Sequence, residues 1–424
     1  VTGPGGTGDG WATRSGFILA TIGSAIGIGS IWKFPYEVGA NGGGAFVLVY
    51  VLGLALVVVP LMLAELAIGR RGRSDAAGSI AVVARAEGAP VRWRLVGVLG
   101  AVTSFLILSY YAVIGGWTVR YTVDTLARGL PPEEGDAVEQ RFADLLASPG
   151  LMALFQAVFL GAVALVVLRG VQGGIERAMK LLMPVLAVLL VALAGYSLAT
   201  GDASEALRFL FVPDLDDFGG RAVLDALGLG FFSIGVGLGL MITYAAYSPP
   251  GADLRTVAFA SVAADTAISV VAGLAVFPIV FANDLDPAGG AGLVFESLPH
   301  AFAAMPAGRV AAVAFFALLV IAALGSAISM LEAVVAVTRH LFGLSRRAAA
   351  LLAVGACYVV GLATVLSFNR WSDVHLLGGV GRYAEATIFD LLDDLTSNVL
   401  LPLGGLGIAV LGGWILSDRL LGEE

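Results

Sequence analysis

The sequence predicts an all-α polytopic membrane protein: ten transmembrane helices in two inverted five-helix repeats, with the first and sixth helices unwound at mid-membrane. Three observations predict it. Apolar runs recur along the whole chain, the connections between them alternate in charge, and glycine clusters interrupt the middle of the first and sixth runs.

Of 424 residues, 58% are hydrophobic and 13% charged, and the mean hydropathy is +0.92. No single aqueous core hides that much apolar surface, so the chain needs lipid as a solvent. Crossing roughly 30 Å of hydrocarbon takes about 20 apolar residues in a helix, and inside lipid only helices or closed barrels satisfy their own backbone. The runs are continuous rather than alternating, which selects helices. The same composition excludes other classes of function. The single cysteine, Cys357, rules out an internal disulfide framework, and His300, His340 and His375 lie too far apart to give metal-ligand spacing. There is no phosphate-binding loop of the G-x-x-x-x-G-K-[ST] type and no soluble domain to house one. Uphill transport must therefore draw on an ion gradient. The net charge of -8, the near absence of lysine and the lack of a basic patch leave no nucleic-acid partner.

The spans fall at about 13–37, 42–69, 95–125, 151–168, 175–199, 222–247, 255–282, 308–338, 348–367 and 387–416. The loop after the second span carries Arg70, Arg71, Arg73, Arg85, Arg92 and Arg94. The loops after spans four and eight add Arg169, Arg177, Lys180, Arg339, Arg346 and Arg347. By the positive-inside rule these loops are cytoplasmic, so both termini are expected inside the plasma membrane. The opposite loops carry Glu133, Glu134, Asp136 and Glu139, then Asp214, Asp216 and Asp217, then Asp284 and Asp286. The lead from Val1 lacks the charged-apolar-cleavage order of a signal peptide. One transmembrane domain over 1–424 is expected, with repeats over about 11–200 and about 220–418.

The first span contains Gly23-Ser24-Ala25-Ile26-Gly27-Ile28-Gly29-Ser30, and the sixth Ser233-Ile234-Gly235-Val236-Gly237-Leu238-Gly239. Glycine inside a helix costs about 1 kcal/mol per residue, so three close together favour an unwound stretch wherever the surroundings satisfy the freed backbone. Such a break exposes carbonyls to a cation and a helix N-terminus to an anion. Glycines four apart, such as Gly23 and Gly27, also serve close helix packing. A binding site is favoured because Ser24, Ser30 and Ser233 lie at the same depth and Asp265 lies ten residues into span seven. A carboxylate near mid-membrane marks an ion or proton path. The two broken spans open successive sets of five, the layout of inverted repeats with a site between them.

These residues resemble the neurotransmitter:sodium symporter family, of the bacterial and archaeal amino-acid transporter type with a LeuT-like fold. The run from Trp11 through Gly23–Ser30 to Trp32-Lys33-Phe34-Pro35-Tyr36 is similar to that family's first helix. Asn41 to Phe46 (NGGGAF) and Pro60 to Arg70 (PLMLAELAIGR) are similar to its second. Further likenesses are Tyr110-Tyr111 with Gly116-Trp117, Gly173 to Glu176, Phe231-Phe232-Ser233, Ile242-Thr243-Tyr244, Leu293 to Pro299 (LVFESLP) and Ala322 to Glu332 (AALGSAISMLE). The family is itself the type example of the repeat layout, so the two readings are not independent.

The resemblance implies a sodium-coupled amino-acid symporter, not an enzyme, working by alternating access in a lipid bilayer. Gly27 and the amides of Ile28 and Gly29, with the Tyr111 hydroxyl, would take the substrate carboxylate, where a helix N-terminus favours an anion. Carbonyls around Ala25, Phe232 and Ser233 would take the amino group. Ile107, Phe232, Gly235, Leu238, Ser326 and Met330 would line the side chain, and Gly235 and Leu238, where relatives are often bulkier, suit a large apolar or aromatic amino acid. Sodium site 1 would use Ala25, Ser30, Ser233 and Asp265. Here Ser30 replaces the usual Asn and Asp265 replaces the Asn of many members. Sodium site 2 would use Gly23, Ile26, Ala322 and Ser326, with one ligand missing at Gly325, so one or two sodium ions are expected. Tyr50, Ser233 and Ser269 match the chloride site of chloride-dependent members. Leu229 stands at the Gln position and Asp265 already brings a negative charge, so chloride is not expected. Tyr111 and Phe232 would form a lid, and Lys33 and Asp393 an outer gate pair, with Lys making a point contact where the more common Arg makes a fork. The inner gate departs from the pattern, since its Arg falls at Gly8 and its Asp at His340. Glu65 would brace the break in the sixth span. The alternative reading is a nontransporting amino-acid sensor or scaffold that keeps the fold.

Overall fold

Apolar stretches too long for a soluble core become long helices that satisfy every backbone group internally while turning hydrocarbon outward. The structure, a computed structural model, describes residues 10–130, 137–214, 219–288 and 292–415. Among these residues it is helical throughout, with one isolated antiparallel bridge between Gly43 and Pro213. In chain order the helices are α1 (Arg14–Ala25) and α2 (Gly29–Ala40), α3 (Gly44–Gly72), α4 (Ala76–Ala86), α5 (Val91–Arg128), α6 (Ala137–Leu146), α7 (Pro149–Leu168) and α8 (Val171–Thr200). There follow α9 (Ala203–Phe211), α10 (Gly220–Ile234), α11 (Leu240–Ala246), α12 (Leu254–Ala282), α13 (Leu298–Ala304), α14 (Gly308–Phe342), α15 (Arg346–Ser367) and α16 (Ile388–Ile415).

Eight of these helices are long and apolar enough to cross a membrane unbroken: α3, α5, α7, α8, α12, α14, α15 and α16. The first expected span is the pair α1 and α2, bent by 52°. The sixth is the pair α10 and α11, parted by residues 235–239. Among the described residues nine of the ten expected spans are thus long and apolar enough to cross a membrane, the first of them broken; the sixth corresponds to two short helices, and the chain is a multi-pass membrane protein. Its outer surface agrees with a lipid solvent, since Leu56, Leu165, Val188, Leu224, Val310 and Trp414 point away from the protein. The reading of the spans did not foresee α4, α6, α9 and α13, short helices within the connections.

Helix starts follow local chemistry. Thr13, Asp75, Asp253 and Ser345 cap α1, α4, α12 and α15 by accepting from the first free amides, and Thr387 forms a capping box with Asp390 at α16. The third spans of the two halves, α5 and α14, pack along each other. Helix α1 packs against α8, α12 and α14, and α3 against α11. Both breaks therefore open toward the middle of the bundle rather than toward lipid.

Candidate functional site

The two breaks form by different backbone devices. Helix α1 stops at Ala25, and Ile26 leaves the helical region for an extended conformation (φ -85°, ψ 108°) before the chain re-enters a helix at Ile28. Between α10 and α11, Gly235, Gly237 and Gly239 all have positive φ (74°, 88° and 73°), a conformation open to glycine and strained for other residues. The freed amide of Gly237 donates to Glu65 Oε1 at 2.6 Å, so α3 supplies the hydrogen bond that the helix has lost.

Facing the breaks is a small cavity of about 30 Å³. Gly27, Tyr111 and Ser326 cluster on one side of it: a β-carbon at Gly27 would strike Ser326 Oγ and lie 3.2 Å from the Tyr111 hydroxyl. Gly235 and Leu238 lie together on another, with Ile107, Met330, Gly29, Phe232 and Ser233 completing the walls. Ile28 does not line the cavity; its amide donates to the Tyr111 hydroxyl at 3.1 Å. Ala25 is fully buried behind it. Two lining residues stand outside the expected set. Ser24 presents a buried hydroxyl without a hydrogen-bond partner among the described residues, and Leu240 fills the room that Gly235 was expected to leave.

Beside this cavity four oxygen-bearing side chains converge in the buried interior. Ser30 Oγ and Ser233 Oγ donate to Asp265 Oδ1 at 2.6 and 2.7 Å, lie 2.9 Å from each other, and Tyr50 donates to Oδ2 at 2.8 Å. Ser30 and Asp265 are fully buried. Hard oxygen donors around one carboxylate suit an alkali cation, whose charge would offset the cost of holding that carboxylate inside the membrane.

The comparisons with known proteins agree with this architecture. The model of the sodium:neurotransmitter symporter family matches residues 8–143 and 138–388. The chain belongs to that family. An uncharacterised sodium-dependent transporter of Bacillus subtilis is 38% identical over 400 residues, covering 94% of this chain and 86% of its own. Another, of Haemophilus influenzae, is 31% identical over 417 residues, covering 96% of this chain and 90% of its own. The crystal structure of MhsT in complex with L-phenylalanine superposes with a TM-score of 0.89 at 41% identity, covering 97% of this chain and 92% of that one. As a symporter of this family the protein is a sodium-dependent transporter and not an enzyme.

Where the symporter departs from the family's motifs, the structure shows what replaces them. At Gly325, a β-carbon would lie 2.6 Å from the Gly23 carbonyl oxygen and 3.5 Å from Met183 Cε. The bare glycine lets α14 press against α1, and the thioethers of Met179 and Met183 pack on Gly23 from α8. Close packing fills the place of the absent ligand. Of the other residues expected at this second site, Ser326 Oγ donates to the Ile26 carbonyl at 3.2 Å, and Ala322 is fully buried.

The phenyl ring of Phe232 separates the inner cavity from an outer one of about 500 Å³, and both are lined by Gly29, Tyr111 and Phe232. Lys33 and Asp393 both line the outer cavity but do not pair in this conformation. Lys33 Nζ sits 4.9 Å from the Phe232 ring centroid, and Asp393 accepts from Tyr110 at 3.2 Å and Ser397 at 3.1 Å. The expected Lys33–Asp393 ion pair is thus not formed, and the Phe232 ring lies between the two cavities.

At the end of the bundle carrying the basic loops, the expected Arg position, Gly8, lies outside the described residues. His340 instead pairs through Nδ1 with Asp75 Oδ2 at 2.9 Å. Several other contacts hold this end together. Glu332 is wholly buried and grips Arg346 through both carboxylate oxygens while accepting from Tyr247 at 3.2 Å. Tyr244 and Ser329 share a 2.7 Å hydrogen bond, and Trp11 Nε1 donates to the Tyr244 carbonyl at 2.9 Å. Glu176 takes the Ala12 amide at 2.7 Å, the Thr13 hydroxyl at 2.8 Å and Lys180 at 2.6 Å. Apart from the i,i+4 pair of Glu176 and Lys180, these contacts join separate segments of the chain and carry no periodic signature.

Proposed function

We propose that the protein is a sodium-coupled symporter of an apolar amino acid, working by alternating access across the plasma membrane. The observation that carries the reading is the adjacency of two sites at the helix breaks. A small, mainly apolar cavity with a few polar groups lies directly beside the Ser30–Ser233–Asp265 oxygen cluster, with Ser233 belonging to both. Substrate carboxylate at Gly27, Gly29 and Tyr111 would complete the shell of the first sodium, which makes binding of the two mutually dependent. MhsT, the structural neighbour, holds L-phenylalanine, which supports an amino acid as cargo here. The basic loops and both termini face the cytoplasm in this reading, and the chain forms one transport domain of two repeats, over about 11–200 and about 220–418.

The test is counterflow of radiolabelled amino acids in proteoliposomes, with and without a sodium gradient. Sodium-dependent accumulation of an apolar amino acid is expected. Failure to accumulate any amino acid would sink the reading in favour of a sensor or scaffold. Replacing chloride by gluconate on both sides should leave the uptake rate unchanged, because the Asp265 carboxylate already occupies the hydroxyl of Tyr50; a loss of uptake would show that an anion is required.

The two sodium sites should contribute unequally. Ser326 is a single neutral ligand at a site where Gly325 offers none, so Ser326→Ala should weaken the sodium dependence of binding, yet by less than Asp265→Ala does. Sodium titrations of substrate binding in the two variants decide it. An equal or larger loss in Ser326→Ala would give the second site full weight.

A further inference from the structure

We infer that Leu240 sets the upper size limit of the substrate side chain, making this a transporter of aliphatic rather than aromatic amino acids. The inference rests on the proposed amino-acid pocket and names its cargo more narrowly. Gly235 has no side chain, and its positive φ bars almost any replacement from growing one there. The space beside it is nevertheless filled. Leu240, the first residue of α11 and 2% exposed, folds back across the break until its Cδ1 would lie 2.9 Å from a β-carbon at Gly235, with Leu238 Cδ1 at 3.5 Å. The bulk missing at position 235 is thus supplied by a residue five positions later, along a path made by three left-handed glycines.

Two features make Leu240 the adjustable wall. Gly235, Gly237 and Gly239 are held by their backbone conformation, and Gly237 is wedged against the α16 backbone, where a β-carbon would meet Gly405 N at 2.7 Å and Leu401 O at 2.8 Å. On that side the unwound segment is backed directly by the α16 backbone. Ile107 and Met330 bound the cavity from α5 and α14, the helix pair that packs most extensively in the bundle. Of the lining side chains, that of Leu240 reaches nearest to the bare Cα of Gly235, and it can be trimmed without straining the backbone.

The experiment is competition by valine, leucine, phenylalanine and tryptophan for sodium-dependent binding to the purified full chain. In the wild type, leucine or valine should compete better than tryptophan. Leu240→Ala should raise the affinity for tryptophan relative to valine by at least about tenfold, the scale of a methylene-sized change in an apolar pocket. Leu240→Val should move it less in the same direction, and Leu240→Met, of similar volume, should leave it in place. If Leu240→Ala is not recovered as a monodisperse protein, Leu240→Val decides. An unchanged ratio in the trimmed variants, or a wild type that prefers tryptophan to leucine, overturns the inference while leaving the symporter reading intact. A wild type that binds no amino acid in sodium removes the symporter reading, and this inference with it.

Discussion

Asp265→Ala should abolish sodium-dependent substrate binding, with a fall in sodium affinity of about a thousandfold. The carboxylate is fully buried and accepts from Ser30, Ser233 and Tyr50 at 2.6, 2.7 and 2.8 Å. An opposite charge within about 4 Å is worth roughly 4 kcal/mol at the effective dielectric of a partly solvated protein site, which is close to three decades of affinity. Truncation also removes the acceptor of the Tyr50 hydroxyl and of one of the two serines, Ser30 and Ser233 being left with only each other at 2.9 Å, at about 1–3 kcal/mol for each group left unsatisfied. Asp265→Asn separates the two effects, because it keeps the shape and an acceptor but removes the charge. Both variants should lose sodium dependence, and Asp265→Asn should keep more thermal stability. Titration of amino-acid binding with sodium at constant ionic strength, potassium replacing it, reads the affinity. Unchanged sodium affinity in either folded variant would refute the role of Asp265 as the anionic ligand.

The fold was legible in the sequence to the extent that it depends on local and solvent-driven terms. Apolar run length specifies spans because lipid leaves the backbone no other way to be satisfied. Three glycines at alternate positions specify the second break because their positive φ values are open to little else. The pocket residues gathered by motif, such as Gly27, Tyr111, Phe232 and Ser326, come together in one cavity. Leu240 was not legible, because neither helical nor strand periodicity carries a side chain across a break of left-handed residues. The space expected at Gly235 is closed for that reason. His340 and Asp75 lie far apart in sequence, and no pattern in either segment announces their contact. Lys33 and Asp393 illustrate a different limit. Their residue types suit an ion pair, but residue type alone does not decide contact, and Lys33 lies on the Phe232 ring instead. Short amphipathic connectors such as α4 and α9 were missed because their apolar faces are too brief to stand out beside the spans.

Glu332→Gln should open the end of the bundle that carries the basic loops. Glu332 is wholly buried, holds Arg346 with both oxygens and accepts from Tyr247, just past the end of α11. Arg346 also donates to the Val167 carbonyl at 3.1 Å, so the carboxylate ties α14, α15, α7 and the end of α11 into one cluster. Removing one member of a buried pair costs about 3–5 kcal/mol, mostly because the surviving charge is left without its partner. The cost falls on the closed arrangement alone, since opening gives Arg346 access to water. The balance between the two faces should therefore move toward opening at the basic end by two to three orders of magnitude. Amide hydrogen exchange over residues 240–252 measures it: exchange there should quicken by that factor, while exchange in the α5–α14 pair, away from the cluster, should stay as it was. Accumulation in proteoliposomes should fall with sodium affinity preserved, because the Asp265 cluster lies on other residues. If exchange quickens equally throughout the bundle, Glu332 serves global stability and not closure. If exchange is unchanged anywhere, the contacts of Trp11, Tyr244 and Glu176 hold this end shut without it.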